Sequence, residues 1–119
     1  MAYTLVARDD PSIESFRGMF FKIRRALGTT AFGINEVRLP AGAEGIEHDE
    51  TETGHEEVYI VTRGGGTFTI DGETVEVGAG DYLRVDAKAR RIVGAGAEGI
   101  TFVVVAARPK PAYDGRASL

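Results

Sequence analysis

The chain has 119 residues, 43% hydrophobic and 27% charged, a balance that suits one soluble globular domain and excludes wholesale disorder. It has no cysteine, which excludes disulfides, thiolate metal sites and a thiol nucleophile, and its 2 histidines exclude a three-imidazole centre built from one chain. A formal net charge of −4 argues against a nucleic-acid partner, because neutralising phosphates needs a basic footprint.

Met1 to Asp10 lack the basic start and long apolar core of a signal peptide, and the longest apolar run, Phe102 to Ala107, is too short to span a bilayer. The expectation is a cytoplasmic protein without a membrane partner. Asp10 or Ser12 can cap one short helix, with Pro11 in its first turn and Ile13 and Phe16 as its apolar face. Met19 to Ile23 reads as strand, and Gly28-Thr29-Thr30 as a break. Strand signals then follow closely: Phe32 to Leu39 alternates apolar and polar, and Glu57 to Thr62 is aromatic and β-branched. Gly64-Gly65-Gly66 reads as a hairpin turn into Thr67 to Ile70. Asp71-Gly72 is the strongest hairpin signal, since a type I′ turn needs positive φ at both central residues. Thr74 to Val77 pairs back, and Gly78 to Asp81 turns into Tyr82 to Val85. Arg91 to Val93 and Ile100 to Val105 follow, the latter as a central strand, with Phe32, Phe68 and Phe102 as core aromatics. These short strands, punctuated by 16 glycines, predict an all-β sandwich or barrel of antiparallel strands with at most one short N-terminal helix. One domain over residues 1–119 is expected, its barrel at about 31–107 and residues 109–119 a tail or arm.

Gly42 is followed after five residues by His48, then Asp49 and Glu50, while Glu57 stands with six residues between it and Gly64. A second segment opens at Gly80 and places Asp86, Lys88, Arg91 and Ala95 at the spacing Pro-x-Gly, His and Asn would take. With the glycine-punctuated hairpin between them, these segments resemble the two motifs of the cupins, small jelly-roll β-barrels. That resemblance implies the fold of nearly the whole chain and a site inside the barrel. A metal-binding cupin presents three histidines and one glutamate; the resemblance carries the first histidine onto His48 and the glutamate onto Glu57. Glu50 stands where the second histidine would be and Arg91 where the third would be, and six residues separate Glu50 from Glu57 where the family has three or four.

Strand parity supports a converging cluster independently. His48 and Glu50 share one face of a strand, and His55, Glu57, Tyr59 and Val61 share one face of the next. If both faces point inward, two imidazoles and two carboxylates meet near the barrel mouth, with His55 substituting for a lost histidine. Imidazole suits iron, nickel, copper and zinc, and two carboxylates move the preference toward manganese or iron(II), leaving nickel or zinc as further options. The alternative is that both histidines lie at a solvated rim.

A guanidinium does not ligate a cation and stays charged, so an inward Arg91 would repel a metal and attract Glu57 or Glu50. It could also grip an anionic ligand in bidentate fashion. Because adjacent strand residues point to opposite faces, only one of Arg90 and Arg91 can turn inward, and the motif alignment favours Arg91. Glu44, Glu47, Asp49, Glu50, Glu52, Glu56 and Glu57 crowd a segment without lysine or arginine and without the order of a calcium loop, and most of them are expected to form a solvated acidic rim. Ser12, Ser15 and Ser118 stand far in sequence from both histidines, and no serine sits on a strand-to-helix elbow.

Three function classes follow. The leading one is a barrel that binds a small polar molecule without a complete metal site, with Glu57, Tyr59 and Arg91 as ligand-binding residues. The alternative is a metal-dependent enzyme of dioxygenase, isomerase or decarboxylase type using His48, Glu50, His55 and Glu57. The third is a structural homodimer module; pairing of two copies is expected from the resemblance, and an open barrel must cover its edges, with the strand Met19 to Ile23 and the tail from Pro109 as the expected interface pieces.

Overall fold

The computed structural model describes residues 2–110 and 113–115, so part of the expected C-terminal arm lies outside the described residues. The stretch after Asp10 is a turn and not the expected helix. Asp10 Oδ1 accepts a hydrogen bond from Ser12 N at 2.9 Å, a local closure that competes with helical pairing. The chain enters β1 (Ser15–Phe16), reverses at Arg17-Gly18 and returns as β2 (Phe20–Phe21). A single turn and a half of helix, α1 (Ile23–Leu27), comes next, downstream of the expected position, and ends at a left-handed Gly28.

β3 (Gly33–Leu39) buries Val37 and Leu39 on one face and turns Glu36 and Arg38 outward. Phe32 precedes it in a bend and is 41% exposed, so it is not the core residue that its type suggested. β4 (Glu56–Ile70) and β7 (Arg91–Ala107) are the two long strands, and β5 (Glu73–Gly78) and β6 (Tyr82–Val85) lie between them in sequence. The antiparallel order is β1-β2-β3-β7-β4-β5, with β6 also paired to β4. Asp71 and Gly72, at φ 48° and 83°, make the two-residue turn expected between β4 and β5.

Two readings of the glycines are corrected. Gly64-Gly65-Gly66 is no hairpin turn but the middle of β4, and Arg91 to Val93 and Ile100 to Val105 are two parts of one strand. Irregularities in the β4–β7 register fall at Val61/Arg63 and at Gly64/Gly66. A Cβ on Gly64 would lie 2.1 Å from Gly99 O, and one on Gly66 would lie 2.1 Å from Gly94 O. Glycine therefore serves here for close backbone approach where the ladder bulges and bends.

The bend has a large consequence. In register, β4 and β7 run from Glu56 opposite Ala107 to Ile70 opposite Arg91, so Glu57 and Arg91 belong to opposite ends of one ladder. The curled ladder nonetheless brings their side chains to 3.3 Å. The enclosed core is Val37, Leu39, Tyr59, Val61, Phe68, Val85, Val93, Ile100 and Phe102. Within it, the rings of Tyr59, Phe68 and Phe102 stand 4.7–5.7 Å apart in tilted and edge-on pairs.

Candidate functional site

Alternation along the first half of β4 turns Glu57, Tyr59 and Val61 inward and leaves Glu56, Val58 and Ile60 on the outer face. Tyr82 of β6 points away and is 75% exposed, so of the two strand tyrosines only Tyr59 belongs to the interior. Arg91, the first residue of β7, is 1% exposed. Its neighbour Arg90 faces outward, with Nε 3.5 Å from Glu47 and Nη1 3.9 Å from Asp49.

His48 is held by backbone. The segment from Ala43 to Glu50 runs beside the start of β7: Ala95 N donates to Ala43 O, Gly45 N to Val93 O, and His48 and Arg91 exchange two bonds of 2.8 and 3.0 Å. Glu50 N donates to Ala87 O at 2.8 Å. This seam sets His48 and Glu50 over the end of the barrel where Glu57 and Arg91 meet. His48, Glu50 and Glu57 each offer a donor atom, and these three atoms lie within 4.8 Å of one another. His55 is not in this triad. It precedes β4, so strand parity does not extend to it; its Nδ1 lies 3.6 Å from Glu50 Oε1, and its ring lines a separate hollow on the outer side with Phe32, Val58 and Arg108.

The interior groups are linked through one carboxylate oxygen. Glu57 Oε1 accepts a short hydrogen bond from the Tyr59 hydroxyl, lies 3.3 Å from Arg91 Nη2 and 3.6 Å from His48 Nε2. Burial pushes the Glu57 carboxyl upward, but the contacts with His48 and Tyr59 and the charge of Arg91 outweigh it and hold it below the ordinary glutamate value. His48 is shifted upward, first by its contact with Glu57 and then by the Ile46 carbonyl, against partial burial and the Arg91 charge. Tyr59 is raised by burial and by the adjacent carboxylate, which keeps its proton available for donation.

Arg91 is satisfied unevenly. Its Nε donates to the Tyr59 hydroxyl at 3.3 Å and Nη1 to Ala89 O at 2.6 Å, whereas Nη2 is buried without a hydrogen-bond partner among the described residues. His48 Nδ1 is 3.0 Å from Ile46 O, a contact that requires the proton on Nδ1. A neutral ring would then aim the Nε2 lone pair at Glu50 and Glu57, 3.5 and 3.6 Å away. Such a convergence calls for a positive charge, either a proton on Nε2 or a bound cation. As a metal centre the set supplies three donors. The fourth position that the resemblance implies is held by a guanidinium beside the same Glu57 oxygen, so the residues do not fit the complete four-ligand site.

Next to this cluster lies a cavity of ≈ 430 Å³ with walls that include Phe20, Phe21, Val37, Phe68, Phe102 and Val104. Sequence reading missed Phe20, Phe21 and Asn35 as lining residues. For the two phenylalanines the signal is long-range, since β2 pairs with β3, Phe20 opposite Val37, and so closes over the cavity, whereas Asn35 shares strand parity with Val37.

The family model described as "Cupin domain" matches residues 35–106. No curated protein sequence gives a significant match. Among solved structures, the chain is similar to a cupin protein from Bacteroides fragilis, at 26% identity over 97% of this chain and 91% of that one, with a TM-score of 0.78. It is similar to a predicted oxalate decarboxylase from Thermotoga maritima at 25% identity, covering 70% and 71% of the two chains with a TM-score of 0.60. A Cupin 2 conserved barrel domain protein from Salinispora arenicola shares the fold at 16% identity, covering 89% of each chain with a TM-score of 0.73.

Proposed function

The chain belongs to the cupin domain family, and from that premise we propose that it is a barrel that binds a small molecule by a polar end without a complete metal site. The observation that carries this reading is Arg91: 1% exposed and 3.3 Å from Glu57, it occupies with its own positive charge the space where a metal-binding cupin has its third histidine. Glu57, Tyr59 and Arg91 form the polar end, and the aromatic and aliphatic walls hold the remainder of the ligand. The test is elemental analysis of protein purified without added metal and without a histidine tag, followed by melting with manganese(II) or iron(II). Substoichiometric metal and an unchanged melting temperature are expected. Stoichiometric metal that disappears in His48→Ala would overturn the reading.

A second reading has one observation in its favour. The tie between His48 Nδ1 and the Ile46 carbonyl fixes the ring as a metal ligand's ring is fixed, with Nε2 facing Glu50 and Glu57. On that reading these three residues hold a manganese or iron(II) ion, and the protein is an enzyme of the dioxygenase, isomerase or decarboxylase type. His55 would support Glu50 from outside the ligand set. On either reading, two copies pair through outward residues of the β3–β7–β4 sheet, such as Val58, Ile60, Val103 and Val105, which are only partly covered. A monomer by sedimentation at micromolar concentration would refute the pairing.

A further inference from the structure

On the reading of a metal-free binding barrel, we propose that the cavity takes an uncharged molecule with an aromatic or branched aliphatic body and one carbonyl-type oxygen, which accepts hydrogen bonds from Arg91 Nη2. The charge of Arg91 and its hydrogen-bonding capacity are satisfied to different degrees. Glu57 answers the charge at 3.3 Å. Of the donors that a guanidinium carries, Nε and Nη1 are used by Tyr59 and Ala89, and Nη2 is buried and makes no hydrogen bond among the described residues, its 3.3 Å contact with Glu57 being an ion pair alone. What Arg91 Nη2 lacks is a lone pair and not a counter-charge.

The neighbouring groups decide between ligand charges. A carboxylate seated on Nη2 would join Glu57 and Glu50, already lining the same cavity, as a third anion beside the buried Glu57. An ammonium group cannot accept from Nη2 and would meet the guanidinium. An amide, ketone or ester oxygen meets neither difficulty. The remaining lining is largely apolar, with Phe20, Phe68, Phe102, Val37 and Val104; its other polar members are Asn35 and Lys22, whose ammonium is 3.5 Å from Glu14. A volume of ≈ 430 Å³ falls in the range of small-molecule sites and has room for a substituted ring.

Four probes that share one ring separate the possibilities: acetophenone, toluene, benzoate and benzylamine, titrated into the full-length, tag-free chain and followed by ligand-observed and ¹⁵N NMR. Acetophenone is expected to bind at least about tenfold more tightly than toluene, as for a hydrogen bond to a charged donor, with benzoate and benzylamine weaker than acetophenone. Its addition should also shift the Arg91 side-chain resonances of the unmodified protein, which toluene should leave in place. In the double variant Arg91→Met with Glu57→Gln, which strands neither charge, acetophenone and toluene should bind alike. Equal affinity for acetophenone and toluene in the unmodified protein would overturn the proposal, with solvent then serving Nη2, and so would tightest binding of benzoate. Those two results leave a ligand-binding barrel standing. Failure of all four probes to bind overturns that reading as well.

Discussion

Between Glu57 and Val61, β4 runs between β6 and β7 and sends a carboxylate, a phenol and a valine inward. Between Gly66 and Ile70 the same strand runs between β5 and β7 and sends Phe68 inward, while the paired part of β7 brings Arg91. The first half thus carries the site's anion and the second its cation, and the glycines between them carry no side chain at all. Neither half satisfies its own buried charge. The site is a property of the bend, and variants on the two sides of it should behave differently from variants on the outer face.

The largest effect is expected from removing one charge. Arg91→Met takes the buried guanidinium away from Glu57 and leaves that carboxylate to Tyr59 and the part-exposed His48, and urea unfolding should show a loss of about 3 kcal/mol or more. Adding Glu57→Gln should recover a substantial part of it. Full stability in the single variant would mean that the two halves do not depend on each other for charge. Phe68→Ala tests the apolar side of the same half; with its ring against Tyr59 and Phe102, about 3–5 kcal/mol is expected from calorimetry or urea unfolding. Next comes the bend. Gly66→Ala places a methyl 2.1 Å from Gly94 O, and a loss of about 1–3 kcal/mol is expected, the range of an overpacked interior. Gly72→Ala has open space around its Cβ and should cost less, through its positive φ alone.

A smaller effect concerns pH. His48 is raised, so its contribution to stability is complete below the unfolded histidine value, near pH 6.5, and is lost as pH rises through the higher folded value. Glu57 is lowered, so its contribution is complete above the unfolded glutamate value and is lost as pH falls through the lower folded one. Melting temperature should therefore peak in mildly acidic solution, with the alkaline limb shallow because His48 is 38% exposed on its side chain. His48→Gln should flatten that limb; an unchanged limb would remove His48 from the linkage. Smallest of all is Arg90→Met, which removes only long outer-face contacts and should leave the urea midpoint where it was.

Sequence periodicity was enough for β3, β5, β6, the separate pieces of β4 and β7 and the inward face of β4, because parity needs only neighbouring residues; it did not join those pieces into two long strands or find β1. The motif spacing located His48, Glu50, Glu57 and Arg91, four of the groups that meet in the barrel. What it could not supply depends on contacts between distant segments. The role of Gly64 to Gly66 is set by the backbone of Gly94 and Gly99, which no local turn signal reveals. Phe20 and Phe21 line the cavity because β2 docks on β3, while Phe32 is left outside by the bend that precedes Gly33. His55 misled parity because it stands one residue before its strand begins.

The meeting of the two ladder ends also bears on the order of folding. The turn at Asp71-Gly72 joins strands that are adjacent in sequence and can form early, whereas Glu57 and Arg91 come together only once the whole of β4 and β7 has zipped and curled. The site is then among the last parts to assemble. Substitutions of Arg91 should accelerate unfolding with little change in the folding rate, while substitutions of Gly72 should slow folding. Stopped-flow chevrons on the two variants would show this, and a slowed folding limb for Arg91→Met would place the closure before the rate-limiting step.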